Sequence, residues 1–518
     1  MNLMEMVAKN ARMYPADTAF VEIRPSANVR KEITWARFYE RMNRLANALL
    51  DRGITRKDKI YVLGRNSINW LEAFFGAMAT GAWVVPLNFR FTDDDIRYCA
   101  NVAEPAVFIM EEEYAPRIAS MRQDLAAVRS FICMDGPFDG MEEMDRVIGK
   151  ASSEAPGIKV DYNDECALYF TSGTTGAPKP VLHRQMMLVG SAVNEATNEG
   201  WTHEKSLLMM APLYHLAIGH LLGCILAGGR GVLLVDKIIP RYIFEAVSRE
   251  RITTVFLLVP WAQDILGALD KGELKKEDYD LSCWSLMYMG AQPIPPPLIW
   301  RWKEYFPDMA YDTTYALSEA GGPGITHLGS ENERKIGAIG KPGLLWDVRI
   351  VNERGVDVAP GEVGELLVRG PAVMKEYYKN PELTATTLKD GWLYTGDLGK
   401  TDDEGFIYIV DRKKDLIISG GENIYPVEIE SVIRRHPKVH DVAVIGVPDQ
   451  RLGEAVAAVI DPLPSENLTA EEMRIFCEEN LPRYKRPRVF IFDQVPRSAT
   501  GKIEKPKLRE KHGRGAMT

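Results

Sequence analysis

Long hydrophobic runs are missing from this chain of 518 residues. Its most apolar stretches, 216–228 and 255–269, are interrupted by His220, Pro260, Gln263 and Asp264, short of the roughly 20 apolar residues a spanning helix needs. The opening MNLMEMVAKNARMYP lacks the apolar core of a secretion signal, so no membrane span is expected. Cysteine is sparse as well. Cys99, Cys133, Cys166, Cys224, Cys283 and Cys477 are scattered without a C-x-x-C pair, which argues against a thiolate zinc site or a disulfide framework and fits a reducing cytoplasm. An excess of positive charge is absent too: 63 Lys and Arg stand against 72 Asp and Glu, a net charge of −9, so no general affinity for nucleic acid is expected. Internal repeats and long low-complexity linkers are also lacking.

What is present is ample apolar material, 46% of the residues, in a chain long enough for at least two domains. Helical periodicities such as WARFYERMNRLANALLDRG alternate with short apolar runs such as KIYVLG and VFIM, and GVLLVDK and TTVFLLVP flank the helix-like FEAVSRERI. That alternation predicts layered α/β structure with mostly parallel strands up to about residue 270. Beyond Lys341 the pattern changes to apolar–polar alternation between Gly, Asp and Pro turns, which reads as a small antiparallel or barrel-like subdomain. A charged connector, DRKKD, then precedes a compact α+β module. The main boundary is expected there, giving domains 1–411 and 412–518.

One loop carries chemistry on its face. Thr171, Ser172, Gly173, Thr174, Thr175 and Gly176 crowd hydroxyls and glycines ahead of Lys179. Glycines let backbone N–H groups approach an anion, hydroxyls add donors and the lysine adds a point charge, so the loop suits a phosphate better than a merely solvated turn. It is not a P-loop: Gly173 and Gly176 are three apart and Pro180, not a hydroxyl residue, follows Lys179. Four further segments stand out. Tyr315-Ala316-Leu317-Ser318-Glu319 offers a carboxylate and a hydroxyl for a Mg²⁺-nucleotide. Tyr394-Thr395-Gly396-Asp397 offers an acceptor for a ribose diol, DRKKD leads into Ser419-Gly420-Gly421-Glu422-Asn423, and Thr500-Gly501-Lys502 comes late.

In this order the five segments resemble the adenylate-forming superfamily, specifically its acyl-CoA synthetases, over roughly residues 10–507. The resemblance implies a large N-terminal domain of two α/β subdomains plus a small β-barrel, followed by a small mobile C-terminal α+β domain. It implies that Thr171 to Lys179 contact the β- and γ-phosphates of ATP, that Glu319 is the Mg²⁺ ligand and that Ser318, usually threonine, touches the α-phosphate. Asp397 and Arg412 would hold the ribose, while Gly290, Ala291 and Gln292, with Thr314 and Tyr315, would lie beside adenine and the acyl group. Lys502 would bridge the substrate carboxylate and the α-phosphate, Lys414 would be the hinge, and Gly420, Gly421 and Glu422 would help form a pantetheine channel for coenzyme A. Retention of Glu319, Asp397, Arg412 and Lys502 weighs against a non-catalytic nucleotide binder on the same fold. An enzyme loading an acyl carrier protein is the other alternative, and the assembly state stays open, a homodimer included.

Three positions depart from the family pattern. Pro180 replaces the glycine after the loop lysine and removes an N–H donor, Ala316 replaces a glycine and adds a methyl, and Gln185 stands where many relatives have a histidine. The strip Ala211 to Gly219 matches the one whose aromatic or histidine residue gates the acyl pocket; His215 is the gate candidate here. The strip has no carboxylate to bind an ammonium group, so a neutral, mostly apolar acid is implied, whether aromatic, alicyclic or short- to medium-chain.

Overall fold

The computed structural model describes residues 1–171, 178–291, 294–322, 324–327, 331–464, 466–497 and 503–513. It divides into two compact units, one of Met1–Val348 with Val368–Leu393, the other of Arg349–Leu367 with Tyr394–Thr518. The sequence patterns become elements much as their periodicities dictate. WARFYERMNRLANALLD is the helix Trp35–Asp51, started by the Thr34 side chain accepting the Arg37 N–H. The run TTVFLLVP divides: Thr254–Leu257 is a strand, and the helix Val259–Asp270 begins at once because Pro260 fits its first turn.

The first unit is built on two sheets. The larger has nine strands, and its central six, Thr18–Arg24, Arg230–Leu234, Ser206–Met209, Thr254–Leu257, Leu286–Met289 and Ala310–Tyr315, are mutually parallel. Ile325–His327 then pairs antiparallel with Ala310–Tyr315. The second sheet has eight strands. Glu165–Thr171 lies parallel to Trp83–Leu87, then pairs antiparallel with Lys179–Arg184, beyond which the short Glu376–Tyr377 forms the edge. Most inner strands are buried on both faces, which is why they read as continuous apolar runs rather than alternating ones.

Helices Trp35–Asp51, Ile68–Ala79, Gln185–Asn198 and Ile218–Ala227 contribute to one hydrophobic core that also takes residues from both sheets, among them Phe20, Ile60, Val62, Leu207 and Tyr288. Helices Pro240–Glu250, Val259–Asp270 and Pro296–Tyr305 cover the opposite face of the nine-stranded sheet, and Asp93–Ala103 and Ala115–Ser120 that of the eight-stranded one. The unit is therefore a stack of helix and sheet layers, and the ends of parallel strands come together where ligands bind in such folds.

In the second unit, residues 397–401 of the strand Trp392–Thr401 pair antiparallel with Ile407–Arg412. A five-stranded sheet follows, with Val439–Asp449 and Gly453–Pro462 as its long hairpin. Ile429, Ile433, Met473 and Cys477 pack on one face of this sheet and Leu508 on the other.

One buried charge helps to fix the helix layer. Glu72 on Ile68–Ala79 is buried, and its Oε1 accepts from Arg41 Nε of the neighbouring helix at 2.6 Å. Burial raises the Glu72 carboxyl while Arg41 pulls it down. Arg41→Ala should lower stability by about 3 kcal/mol in urea denaturation, because it strands the acid. Arg41→Leu combined with Glu72→Leu should recover most of that loss.

Candidate active site

The hairpin Glu165–Thr171/Lys179–Arg184 brings Thr171 opposite Lys179, so the ends of the glycine-rich loop are held by strand pairing. Ser172, Gly173, Thr174, Thr175 and Gly176 lie outside the described residues, as do Gln292 and Lys502. Pro180 sits in the second strand opposite Phe170, and its carbonyl accepts the Tyr378 N–H at 2.8 Å. The missing N–H of Pro180 thus falls in a strand still anchored from its edge side. Gln185 begins the helix after this hairpin, buried, and its side-chain carbonyl accepts the Leu3 N–H at 3.4 Å. It ties down the N-terminal helix Leu3–Met13.

Glu319 lies in the short turn Ser318–Ala320 that follows strand Ala310–Tyr315. Three contacts lock this turn. The Tyr377 hydroxyl donates to Glu319 Oε1 at 2.7 Å, the Met374 N–H donates to the Glu319 carbonyl at 2.7 Å, and His183 Nε2 donates to the Ser318 carbonyl at 2.9 Å. A carbonyl can only accept, so His183 carries its proton on Nε2. Its Nδ1 is buried without a partner among the described residues, and burial lowers the imidazole to about 4, holding it neutral. Burial and then the Glu319 carboxylate push the Tyr377 phenol well up, keeping it a donor. The Lys179 ammonium lies 5.6 Å from the centroid of the Tyr377 ring. Lys179, Tyr377 and Glu319 therefore form one cluster, of which the sequence named only the lysine and the carboxylate.

A magnesium ion bound with a nucleotide takes most of its oxygens from phosphate and water, so one carboxylate is enough from the protein. Among the described residues there is no cluster of three or more metal-ligating side chains. Glu319 fits that role: it is only half-buried, and Tyr377 fixes one oxygen while the other has no hydrogen bond among the described residues.

Gly290 is buried at the end of strand Leu286–Met289, and a Cβ there would stand 2.7 Å from Thr314 Cγ2. The next residue, Ala291, has φ +69°, a strained value for a residue with a side chain. It is exposed, so the strain presents this strand end to whatever lies beyond it. Tyr315 is half-buried at the end of the neighbouring strand. His215 sits at a kink with extended backbone, φ −87° and ψ −180°, its ring 4.4 Å from that of the buried Tyr214.

In the second unit, Asp397 faces Arg412 directly across the antiparallel pair, with Asp397 Oδ1 3.4 Å from Arg412 Nε. Asp397 is buried, and Glu365 steadies its turn by accepting the Gly396 N–H while holding Lys413 Nζ at 2.8 Å. Lys414 is exposed in the turn Lys413–Asp415. Gly420 and Gly421 take φ +61° and +86° in the tight turn before Glu422, a conformation natural to glycine. Arg497 and Ile503 form an isolated antiparallel bridge, and in sequence they stand on either side of Lys502. Its cationic neighbours are engaged elsewhere: Arg497 donates to both oxygens of Asp441, and Lys505 is buried 2.8 Å from Glu430.

Loss of the His183 anchor should show in the chemistry. His183→Ala should cut Mg-ATP-dependent pyrophosphate exchange by roughly 10–100-fold while leaving the protein folded, with His183→Gln partly restoring it. Because the folded His183 binds its proton more weakly than the unfolded chain, its contribution to stability is present above pH ~6.5 and is lost as pH falls toward 4. Urea midpoints measured across that window should fall less steeply in His183→Gln than in the parent.

Comparison with known proteins places these features. The model of AMP-binding enzymes matches residues 7–378, and that of the AMP-binding enzyme C-terminal domain matches residues 428–502. A feruloyl-CoA synthase of Amycolatopsis sp is 35% identical over 98% of both chains. An indoleacetate–CoA ligase of Aromatoleum aromaticum is 32% identical, also over 98% of both. The structure of an o-succinylbenzoate coenzyme A synthetase from Bacillus subtilis in complex with ATP and magnesium ion superposes with a TM-score of 0.83 at 26% identity, covering 97% of this chain and 99% of that one. The chain belongs to the adenylate-forming AMP-binding enzymes, and within them to the acid–CoA ligases.

Proposed function

We propose that this enzyme activates a neutral, mostly apolar carboxylic acid with Mg-ATP and passes the acyl group to coenzyme A. The observation that carries the reading is the Lys179–Tyr377–Glu319 cluster beside the closed ends of the hydroxyl- and glycine-rich loop. In the first step a carboxylate oxygen attacks the α-phosphorus of ATP; an O–P bond forms, the bond to the β-phosphate breaks, and pyrophosphate leaves an acyl-AMP. In the second the CoA sulfur attacks the acyl carbon and AMP departs. Such chemistry asks for positioning and charge neutralisation more than for covalent help from the protein.

The roles follow from the residues. Thr171, the loop and Lys179 would hold the β- and γ-phosphates, and Glu319, oriented by Tyr377, would hold the magnesium that neutralises them. Ser318 would touch the α-phosphate. Asp397 with Arg412 would bind the ribose hydroxyls, and Gly290, Ala291, Gln292, Thr314 and Tyr315 would flank adenine and the acyl group. Lys502 would bring carboxylate and α-phosphate together. For thioester formation, residues 412–518 would move about Lys414, withdrawing Lys502 and presenting Gly420, Gly421 and Glu422 toward CoA. Among the described residues no helix is long and apolar enough to cross a membrane, and a cytoplasmic location agrees with the cysteine usage.

CoA-dependent AMP release, measured over aromatic, alicyclic and aliphatic acids, tests this reading. Neutral acids should support release that saturates with free CoA, while unsubstituted α-amino acids should give no pyrophosphate exchange above background. A requirement for a phosphopantetheinyl protein in place of CoA would move the function to carrier loading, and robust exchange with an α-amino acid would overturn the assignment of the pocket.

A further inference from the structure

Beneath the strand end at Gly290 lies a buried polar chain with no part in the chemistry above. The Tyr288 hydroxyl donates to Glu195 Oε2 at 2.9 Å, and Glu195 Oε1 stands 3.3 Å from His220 Nδ1. Glu195 and Tyr288 are fully buried. Helix Ile218–Ala227 comes close enough for this because of Gly223, where a Cβ would fall 2.4 Å from Glu195 Cγ. Burial holds the Glu195 carboxyl well above the usual range and lowers His220 to about 3, so burial favours the neutral form of both. With the proton on the carboxyl, Glu195 donates to Nδ1 and the imidazole proton sits on Nε2.

Nε2 is the end of the chain, and it has no hydrogen-bond partner among the described residues. A core histidine closed off from solvent would need one, since a buried unpaired donor costs about 1–3 kcal/mol. His220 nevertheless keeps 7% of its side-chain surface accessible, although it lies between a helix and the sheet.

Its surroundings include Gly290, proposed above to flank the acyl group. The His220 ring stacks on Phe256 with centroids 4.3 Å apart, and Phe256 in turn is 3.7 Å from where a Cβ on Gly290 would lie. Gly219, the residue before His220, has its Cα 3.9 Å from where a Cβ on Gly322 would lie, and Ser191 is closer still. Tyr288 is two residues below Gly290 on the same strand face, hence about 7 Å deeper. That depth is about the length of one aromatic ring.

We propose that His220 is a specificity-determining residue: its Nε2–H hydrogen-bonds a hydroxyl or carbonyl oxygen on the far edge of an aromatic acyl group stacked beside Phe256, with Glu195 and Tyr288 fixing the ring. This rests on the ligase function proposed above and narrows its substrate to aromatic acids with a distal polar substituent. The imidazole holds the end of the acyl group opposite the reacting carboxylate. A hydrogen bond that is made equally in ground and transition states appears in KM more than in kcat.

The test uses two matched pairs, 4-hydroxybenzoate with benzoate and 4-hydroxycinnamate with cinnamate, assayed by CoA-dependent AMP release. In the parent enzyme at least one hydroxylated acid should exceed its deoxy partner in kcat/KM by ~10-fold or more. His220→Leu should abolish that preference, raising KM for the hydroxylated acid by more than it changes KM for the deoxy acid. His220→Asn, which retains a donor, should keep part of the preference and guards against a folding defect in the leucine variant. Turnover of both members of each pair without preference, or a preference that survives in His220→Leu, overturns this inference and leaves the ligase reading intact. Absence of AMP release with every acid overturns both.

Discussion

The site in the first unit depends on one short turn. Ser318–Ala320 leaves the nine-stranded sheet, and its three hydrogen bonds all come from residues on or beside the last two strands of the eight-stranded sheet: His183 to the Ser318 carbonyl, the Met374 N–H to the Glu319 carbonyl, and Tyr377 to the Glu319 carboxylate. The same pair of strands holds the ends of the glycine-rich loop. The carboxylate proposed for magnesium and the loop proposed for phosphate are therefore positioned by one set of contacts. A shift of the turn would displace both. His183 can serve here because burial keeps it neutral, leaving it a fixed donor instead of a titrating charge.

The second constraint is electrostatic. Adenylation brings a carboxylate against a triphosphate within a chain that is itself acidic overall, so local cations must overcome repulsion that the protein's average charge would only increase. Lys179 belongs to such an arrangement in the first unit. In the second, Arg497 and Lys505 are committed to Asp441 and Glu430. That leaves the bridging role proposed for Lys502 without a substitute among its cationic neighbours Arg497 and Lys505.

Much of this was legible in the sequence because it is written in contiguous segments. The apolar runs KIYVLG and VFIM became the strands Lys59–Leu63 and Val107–Met110, and YTGD and DRKKD supplied the Asp397 and Arg412 that strand register sets face to face. The positioning residues were not legible. His183 and Ser318 are 135 residues apart, Tyr377 and Glu319 are 58 apart, and Glu195 and Tyr288 are 93 apart. No periodicity links such pairs; only the pairing of strands and the stacking of layers brings them together. His220 reads in sequence as an interruption of an apolar stretch, and its meaning comes from Gly223, which lets Glu195 reach it.

The central claim is that two half-reactions use different settings of the C-terminal residues, with Lys502 needed in only one, and separate assay of those steps in Lys502→Ala tests it most directly. A fixed cation between two approaching anions is comparable to one good electrostatic donor, so acyl-AMP formation from acid and ATP should fall by roughly 10²–10³-fold. The same variant given synthetic acyl-AMP and CoA should form thioester at close to the parent rate. An equal fall in both steps, or no effect on either, would contradict the account.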